Sequence, residues 1–263
     1  MVKPYRRPHR YKKRKPIYRS RSFWLVIFVL ILFSSLLYLL FLADYFQIKE
    51  INIAGLQQVS EEALNSLVKS HLENKILFFS TKSIFSVNSN KIKEEALKKI
   101  PLIAQIEIRR NFPDALNVSV TERKGLATFC QESTCFSLDK EGIIFEIDDS
   151  LQPLIRTLIP NEEIKLGDKV IEKEKLTQLL EINSYLEKNL NIPAKEFLIS
   201  SLEKLQVITQ EGWELYLNPQ EDIKWQLTKL KVLLDEKIPP EKRNDLEWIE
   251  LRFGNFANPK YKD

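Results

Sequence analysis

Phe23-Trp24-Leu25-Val26-Ile27-Phe28-Val29-Leu30-Ile31-Leu32-Phe33-Ser34-Ser35-Leu36-Leu37-Tyr38-Leu39-Leu40-Phe41-Leu42 runs for 20 residues without a charge, a proline or a glycine. A helix of that length rises about 30 Å, the thickness of a bilayer's hydrocarbon core. Its polar interruptions are Ser34 and Ser35, whose hydroxyls can bond back to the helix's own carbonyls. Trp24 and Tyr45 stand near the two ends, where amphipathic rings prefer the headgroup level. The competing reading is a buried core helix, but core helices seldom go so far without a charge. The sequence predicts one transmembrane helix, with residues 23–43 as the crossing segment.

Orientation follows from what flanks the run. Residues 1–22 hold ten Lys or Arg and no acid, and the first acid of the chain is Asp44. A short, densely basic flank stays in the cytoplasm, so residues 44–263 are expected outside it. Removing those ten from the whole-chain totals of 40 basic and 36 acidic residues leaves 30 against 36, a net of −6 on the exported part. The overall +4 therefore says little about partners of the folded portion. A cleaved signal would have a shorter apolar region and a small-residue exit, whereas Phe41-Leu42-Ala43 puts Phe at the −3 position, which favours a retained anchor. Within the tail, Pro4, Pro8 and Pro16 separate the charges without apolar periodicity, the composition of a disordered segment. Tyr5, Tyr11 and Tyr18 are interleaved as in a nucleic-acid arm, but the adjacent span already accounts for the charge, and no nucleic-acid partner is expected.

Residues 46–122 read as a first exported module. A short strand at Ile48–Ile53 closes at Gly55, and Ser60 followed by Glu61-Glu62 is a helix start. Ala63, Leu64, Leu67, Val68 and Leu72 recur at helical spacing. A loop with Phe78 and Phe79 leads to a second helix over Ser89–Ile100, carried by Ile92, Ala96, Leu97 and Ile100 and stopped by Pro101. Two strands follow around the Asn111-Phe112-Pro113-Asp114 turn, one through Ile106 and Ile108, the other through Leu116, Val118 and Val120. Strand–helix–helix–strand–strand is an α+β unit.

Residues 123–256 read as a second module, with 257–263 as a polar tail. Leu126–Cys130 and Cys135–Leu138 form a hairpin, and a turn at Asp139–Gly142 feeds a strand at Ile143–Ile147. Cys130 and Cys135 would face each other at the hairpin's mouth; a disulfide, two free thiols or half a zinc site all fit that placement. Zinc is disfavoured because His9 lies across the membrane and His71 in the other module. Glu172–Leu190 is an amphipathic helix, Phe197–Ser200, Leu205–Thr209 and Trp213–Leu217 are strands, and Pro219 opens a helix with a stripe of Ile223, Leu227, Leu230, Leu233 and Leu234. Pro239-Pro240 ends it, and Leu246–Phe253 is the last strand.

No catalytic constellation emerges. No base-and-nucleophile arrangement is read around His71 in its own segment, six glycines make no phosphate loop, and the pairs Asp148-Asp149 and Glu162-Glu163 sit among turn-like residues as solvated surface. The expectation is no catalytic residue, no metal, no cofactor and no small-molecule substrate.

The order of these elements after a single span resembles the bacterial cell-division family of FtsQ and DivIB. The resemblance is carried by Phe46–Gly55, Val59-Ser60-Glu61-Glu62, Ile100-Pro101-Leu102-Ile103 and Arg110–Arg123 in the first module. Asp139–Phe145, Pro153-Leu154-Ile155, Leu166-Gly167 and Ile249-Glu250-Leu251-Arg252 extend it to the C-terminal end. Phe112 stands where that family usually has Trp, Lys124-Gly125-Leu126-Ala127 keeps only the Ala of its segment, and Glu250 stands for its Asp. The resemblance implies an α+β chain: a single transmembrane helix, a POTRA-type domain, then a mixed-sheet β-domain with two helices. It also implies a non-enzymatic divisome scaffold in the cytoplasmic membrane, at the septum, whose partners are FtsB/DivIC-like and FtsL-like single-pass proteins. A terminal strand offers unpaired backbone groups to a partner strand. Carried over on the matching motif, Leu251, Arg252 and Phe253, then Asn255 and Phe256, are the expected partner-binding residues. The alternative from another class is a membrane-anchored envelope enzyme or enzyme regulator.

Overall fold

The computed structural model describes residues 21–76, 79–157 and 163–262. The basic tail up to Ser20, Phe78, and Glu162 of the acid pair lie outside the described residues. The first element is helix α1, Arg21–Phe41, none of whose residues is buried. An apolar helix with no cover from its own chain matches a membrane span rather than a core helix.

Strand β1 (Glu50–Ala54), helix α2 (Glu61–Ser70), strands β2 (Asn74–Ile76) and β3 (Phe79–Thr81), helix α3 (Ser89–Lys99) and strands β4 (Ile103–Asn111) and β5 (Ala115–Glu122) follow in order. Ser60 Oγ accepts from Ala63 N–H at 3.3 Å, the helix start expected from its hydroxyl. Along β5, Leu116, Val118 and Val120 are buried and Asn117, Ser119 and Thr121 exposed, the period of two seen in the sequence. These strands form a three-stranded sheet in the order β1-β5-β4. Of the expected Phe78–Phe79 loop, Phe79 instead opens β3 and pairs with Ile76 of β2; strands of three residues are too short to show periodicity.

Strands β6 (Ala127–Gln131), β7 (Thr134–Leu138), β8 (Ile144–Ile147), β9 (Leu154–Thr157), β10 (Ala194–Ile199), β11 (Leu205–Thr209), β12 (Glu214–Leu217), β13 (Leu246–Glu250) and β14 (Asn258–Tyr261) make one sheet, ordered β14-β13-β12-β11-β10-β9-β6-β7-β8. Helix α4 (Lys173–Leu190) connects β9 to its parallel neighbour β10, and helix α5 (Ile223–Glu236) connects β12 to its parallel neighbour β13. Parallel neighbours cannot be joined by a tight turn, so each pair needs such a crossover. The helices bury Leu176, Leu179, Ile182 and Leu186, and Leu227, Leu230, Leu233 and Leu234, in one core with Phe129, Phe197, Trp213 and Ile249.

Three sequence expectations change here. Helix α5 starts at Ile223 under an Asp222 cap, whose carboxylate accepts from Trp225 N–H at 3.1 Å; Pro219 lies in the turn before it. The β6–β7 hairpin pairs through Gln131↔Thr134, so its loop is shorter than expected; Cys130 and Cys135 are cross-strand partners, 4.1 Å apart at Cα, with their sulfurs joined. Most consequentially, Leu246–Phe253 is not the last strand: β13 ends at Glu250, and the segment read as a tail forms β14 beside it.

By compactness the chain falls into two units. One takes the residues up to Asn52, Asn65–Ser89 and Ile108–Asn117, and its buried residues include Ile48, Leu67, Val68, Leu72, Ile84 and Leu116. The other takes Ile53–Leu64, Asn90–Glu107 and the residues from Val118 onward, and it holds the nine-stranded sheet. Within the second unit, Glu122 accepts from three successive backbone N–H groups, those of Gln57, Gln58 and Val59, at 2.7–3.1 Å. Burial works to raise the Glu122 pKa, but these bonds outweigh it and hold the carboxyl below its usual value. Gly55, at φ +91°, approaches so closely that a Cβ there would lie 2.1 Å from the Val120 carbonyl oxygen. Gly55→Ala is therefore expected to lower stability by about 2 kcal/mol or more, read as a fall in the unfolding midpoint of the detergent-solubilised chain.

Candidate partner-binding edge

The nine-stranded sheet has two edges, β8 and β14. The start of β8 is covered by the 165–169 loop: Gly167 N–H donates to the Ile144 carbonyl at 2.7 Å, and Ile144 N–H donates to the Asp168 carbonyl at 3.1 Å. Among the described residues, no strand pairs with β14 beyond β13. Its register sets Leu246 opposite Tyr261, Trp248 opposite Lys260, Ile249 opposite Pro259 and Glu250 opposite Asn258. Lys260 Nζ meets Glu247 at 2.8 Å, and Lys262 N–H donates to the Asp245 carbonyl at 2.8 Å. Pro259 has no N–H to give, which an edge strand tolerates and an inner strand does not.

Leu251, Arg252, Phe253, Asn255 and Phe256 all fall in the connection between β13 and β14. Leu251 is fully buried and its N–H donates to the Tyr216 carbonyl at 3.0 Å, so it belongs to the core rather than to an open edge. Arg252 is held by Glu250 through a two-pronged contact, Nε to Oε1 at 2.9 Å and Nη2 to Oε2 at 2.7 Å. Its guanidinium lies 4.8 Å from the Phe253 ring centroid and 5.9 Å from that of Tyr216. Burial, then the neighbouring Glu214 that accepts its hydroxyl at 2.8 Å, pushes the Tyr216 phenol up to about 12. Phe253 and Phe256 are 63% and 79% exposed, which leaves two large rings open beside the edge.

Two features had no sequence signal. Lys229, on the helix face next to the Leu227–Leu230 stripe, is buried, and its ammonium donates to the carbonyls of Leu251 at 2.7 Å and Gly254 at 3.0 Å. Burial draws its pKa down. A groove of about 650 Å³ runs between α5 and the C-terminal segment, lined by Trp225, Val232, Leu233, Phe256, Pro259 and Tyr261 among others. Together, an open strand edge, exposed rings and an apolar groove can take an extended chain by backbone pairing, with side chains received alongside. Of the Asp148-Asp149 pair, Asp148 accepts from Ser150 N–H, Ser150 Oγ and Ser137 Oγ. Among the described residues no group of three or more His, Cys, Asp or Glu could hold a metal ion.

The Glu250–Arg252 pair makes this corner sensitive to acid. Burial alone would raise the Glu250 pKa; the Arg252 contacts prevail and hold it below the ordinary 4.5. A carboxyl depressed on folding contributes stability in full above its unfolded pKa and loses it as pH falls through the folded one. Glu250→Gln is expected to cost about 1–2 kcal/mol at pH 7 and to narrow the gap between the unfolding midpoints at pH 7 and pH 3.5.

The sequence signature of the POTRA domain, FtsQ-type, matches residues 46–123, the span that carries β1 to β5. The chain is 24% identical over 240 residues to the cell division protein FtsQ of Neisseria gonorrhoeae, covering 89% of this chain and 88% of that one. It is 23% identical over 248 residues to the cell division protein FtsQ of Neisseria meningitidis serogroup B, at 92% and 94% coverage. With the cell division protein DivIB of Clostridium acetobutylicum it shares 25% identity over 224 residues, covering 82% and 83%. Residues 46–123 thus carry an FtsQ-type POTRA domain, and from the apolar helix through the POTRA sheet to the mixed sheet the chain is similar to the bacterial cell division proteins FtsQ and DivIB.

Proposed function

We propose that this chain is a single-pass scaffold of the division machinery, with its N-terminus cytoplasmic and residues 44–263 outside the cytoplasmic membrane. Residues 46–122 form its POTRA domain and 123–256 the bulk of its β-domain, to which β14 adds the last strand. The partners are FtsB/DivIC-like and FtsL-like single-pass proteins, and septal wall synthesis is assembled and restrained through them. The observation that carries the reading is the open edge of β14 with the α5 groove beside it. A partner strand paired there would gain affinity from backbone bonds and selectivity from the rings of Phe256 and Tyr261. This moves the expected contact from Leu251 and Arg252, which hold the connection in shape, to Phe253, Asn255, Phe256 and β14. The exported location also favours a closed Cys130–Cys135 bond in the cell.

The test is co-purification of tagged full-length chain from membranes of a dividing culture. Deleting residues 258–263 should release a small coiled-coil membrane partner while the POTRA domain stays folded. Equal recovery of that partner with intact and altered β14 would refute strand addition.

A further inference from the structure

The last carbonyls of any helix lack partners within it. At the end of α1 they are met by side chains from elsewhere in the same compact unit: Thr81 Oγ1 donates to the Phe41 carbonyl, Ser83 Oγ to the Leu40 carbonyl at 2.7 Å, and Gln47 Nε2 to the Phe41 carbonyl at 3.0 Å. Thr81 and Ser83 are buried, and Gln47 Oε1 accepts from Lys82 N–H at 2.8 Å. Ile48 N–H to the Lys82 carbonyl at 3.1 Å and Ile84 N–H to the Phe46 carbonyl at 2.9 Å zip the two segments together. The membrane helix thus enters the folded unit through a hydrogen-bonded joint rather than a loose linker.

The same joint gathers aromatic rings from three parts of the chain. Lys49 and Glu50 N–H groups both donate to the Asp114 carbonyl, at 2.8 and 3.4 Å, which brings the β4–β5 turn to the helix end. Tyr45, Phe46, Phe85 and Phe112 then form a continuous row with successive ring centroids 5.0, 5.2 and 5.5 Å apart. Tyr45 is 65% exposed and Phe112 55%, and Phe85 is open as well. Tyr45 stands four residues beyond Phe41, a reach of about 14 Å at most. Exposed rings so near the end of a span lie where amphipathic and aromatic side chains partition into headgroups. Lys49 and Lys82 beside the row are paired with Asp114 at 3.4 Å and Glu73 at 3.1 Å, so the attraction is apolar rather than one of charge.

We infer that the Tyr45–Phe46–Phe85–Phe112 row is seated in the outer headgroup layer of the phospholipid bilayer, as a second, interfacial anchor for the module that follows the span. The inference rests on the membrane reading of α1. It commits to lipid because the row is continuous with the helix end, and it expects no need for anionic headgroups.

Spin labels on the full-length chain in phosphatidylcholine vesicles test it, with Cys130 and Cys135 replaced by serine. Leu36→Cys reports the span, Asn111→Cys the row, and Leu202→Cys an exposed turn of the sheet domain. The expected result is a label at 111 more accessible to oxygen than to a nickel chelate when compared with the label at 202, and a shift toward water when Phe112→Ser is added. A label at 111 that matches the one at 202 overturns the inference, while a membrane-buried label at 36 leaves the span intact. A label at 111 shielded from both reagents means that a protein covers the row, and this also overturns it. A water-exposed label at 36 refutes the span itself.

Discussion

Helix α1 buries nothing against the rest of its own chain, and that sets the terms for everything C-terminal to it. Its apolar surface has the length and composition that a bilayer's hydrocarbon core would cover. The folded part must also begin within a few residues of the helix end. The side-chain bonds from Thr81, Ser83 and Gln47 to the last helical carbonyls show how this is met: a helix terminus that would otherwise be solvated at the lipid surface is completed by the adjoining fold.

The surface proposed for partners is built from backbone as much as from side chains. Two crossover helices let parallel pairs β9/β10 and β12/β13 coexist with antiparallel hairpins in one sheet. Because α5 leads from β12 into β13, the C-terminal residues are left to add one more strand outside it. The sheet therefore ends in a short strand containing Pro259, with Lys260 tied to Glu247. A proline and a charged pair blunt promiscuous pairing, so a matching strand has to bring side chains that suit the groove.

Much of this was legible in the sequence, for physical reasons that can be named. The span, the α2, α4 and α5 stripes and the alternation of β5 are set by burial of one face, and periodicity records burial directly. The β6–β7 hairpin and the facing of Cys130 and Cys135 came from strand length and turn residues, while the bond between the two sulfurs was one of three states the sequence allowed. What could not be read was structure fixed by distant partners. Asn258-Pro259-Lys260-Tyr261 has the composition of a tail and becomes a strand through β13, across the connection that begins at Leu251. Leu154–Thr157 lies between two parallel neighbours and shows no alternation of its own. Lys229 has the same residue type as the exposed lysines around it, and nothing local marks it as buried.

Lys229 also ties two features together. Its ammonium directs one N–H to the carbonyl of Leu251 and another to that of Gly254, from a helix whose neighbouring face walls the groove. The bend that launches β14 is thus pinned to α5 from inside the protein. Groove and strand edge thus share one fixed point, the Lys229 ammonium, and under the proposed strand addition a partner would meet both across it.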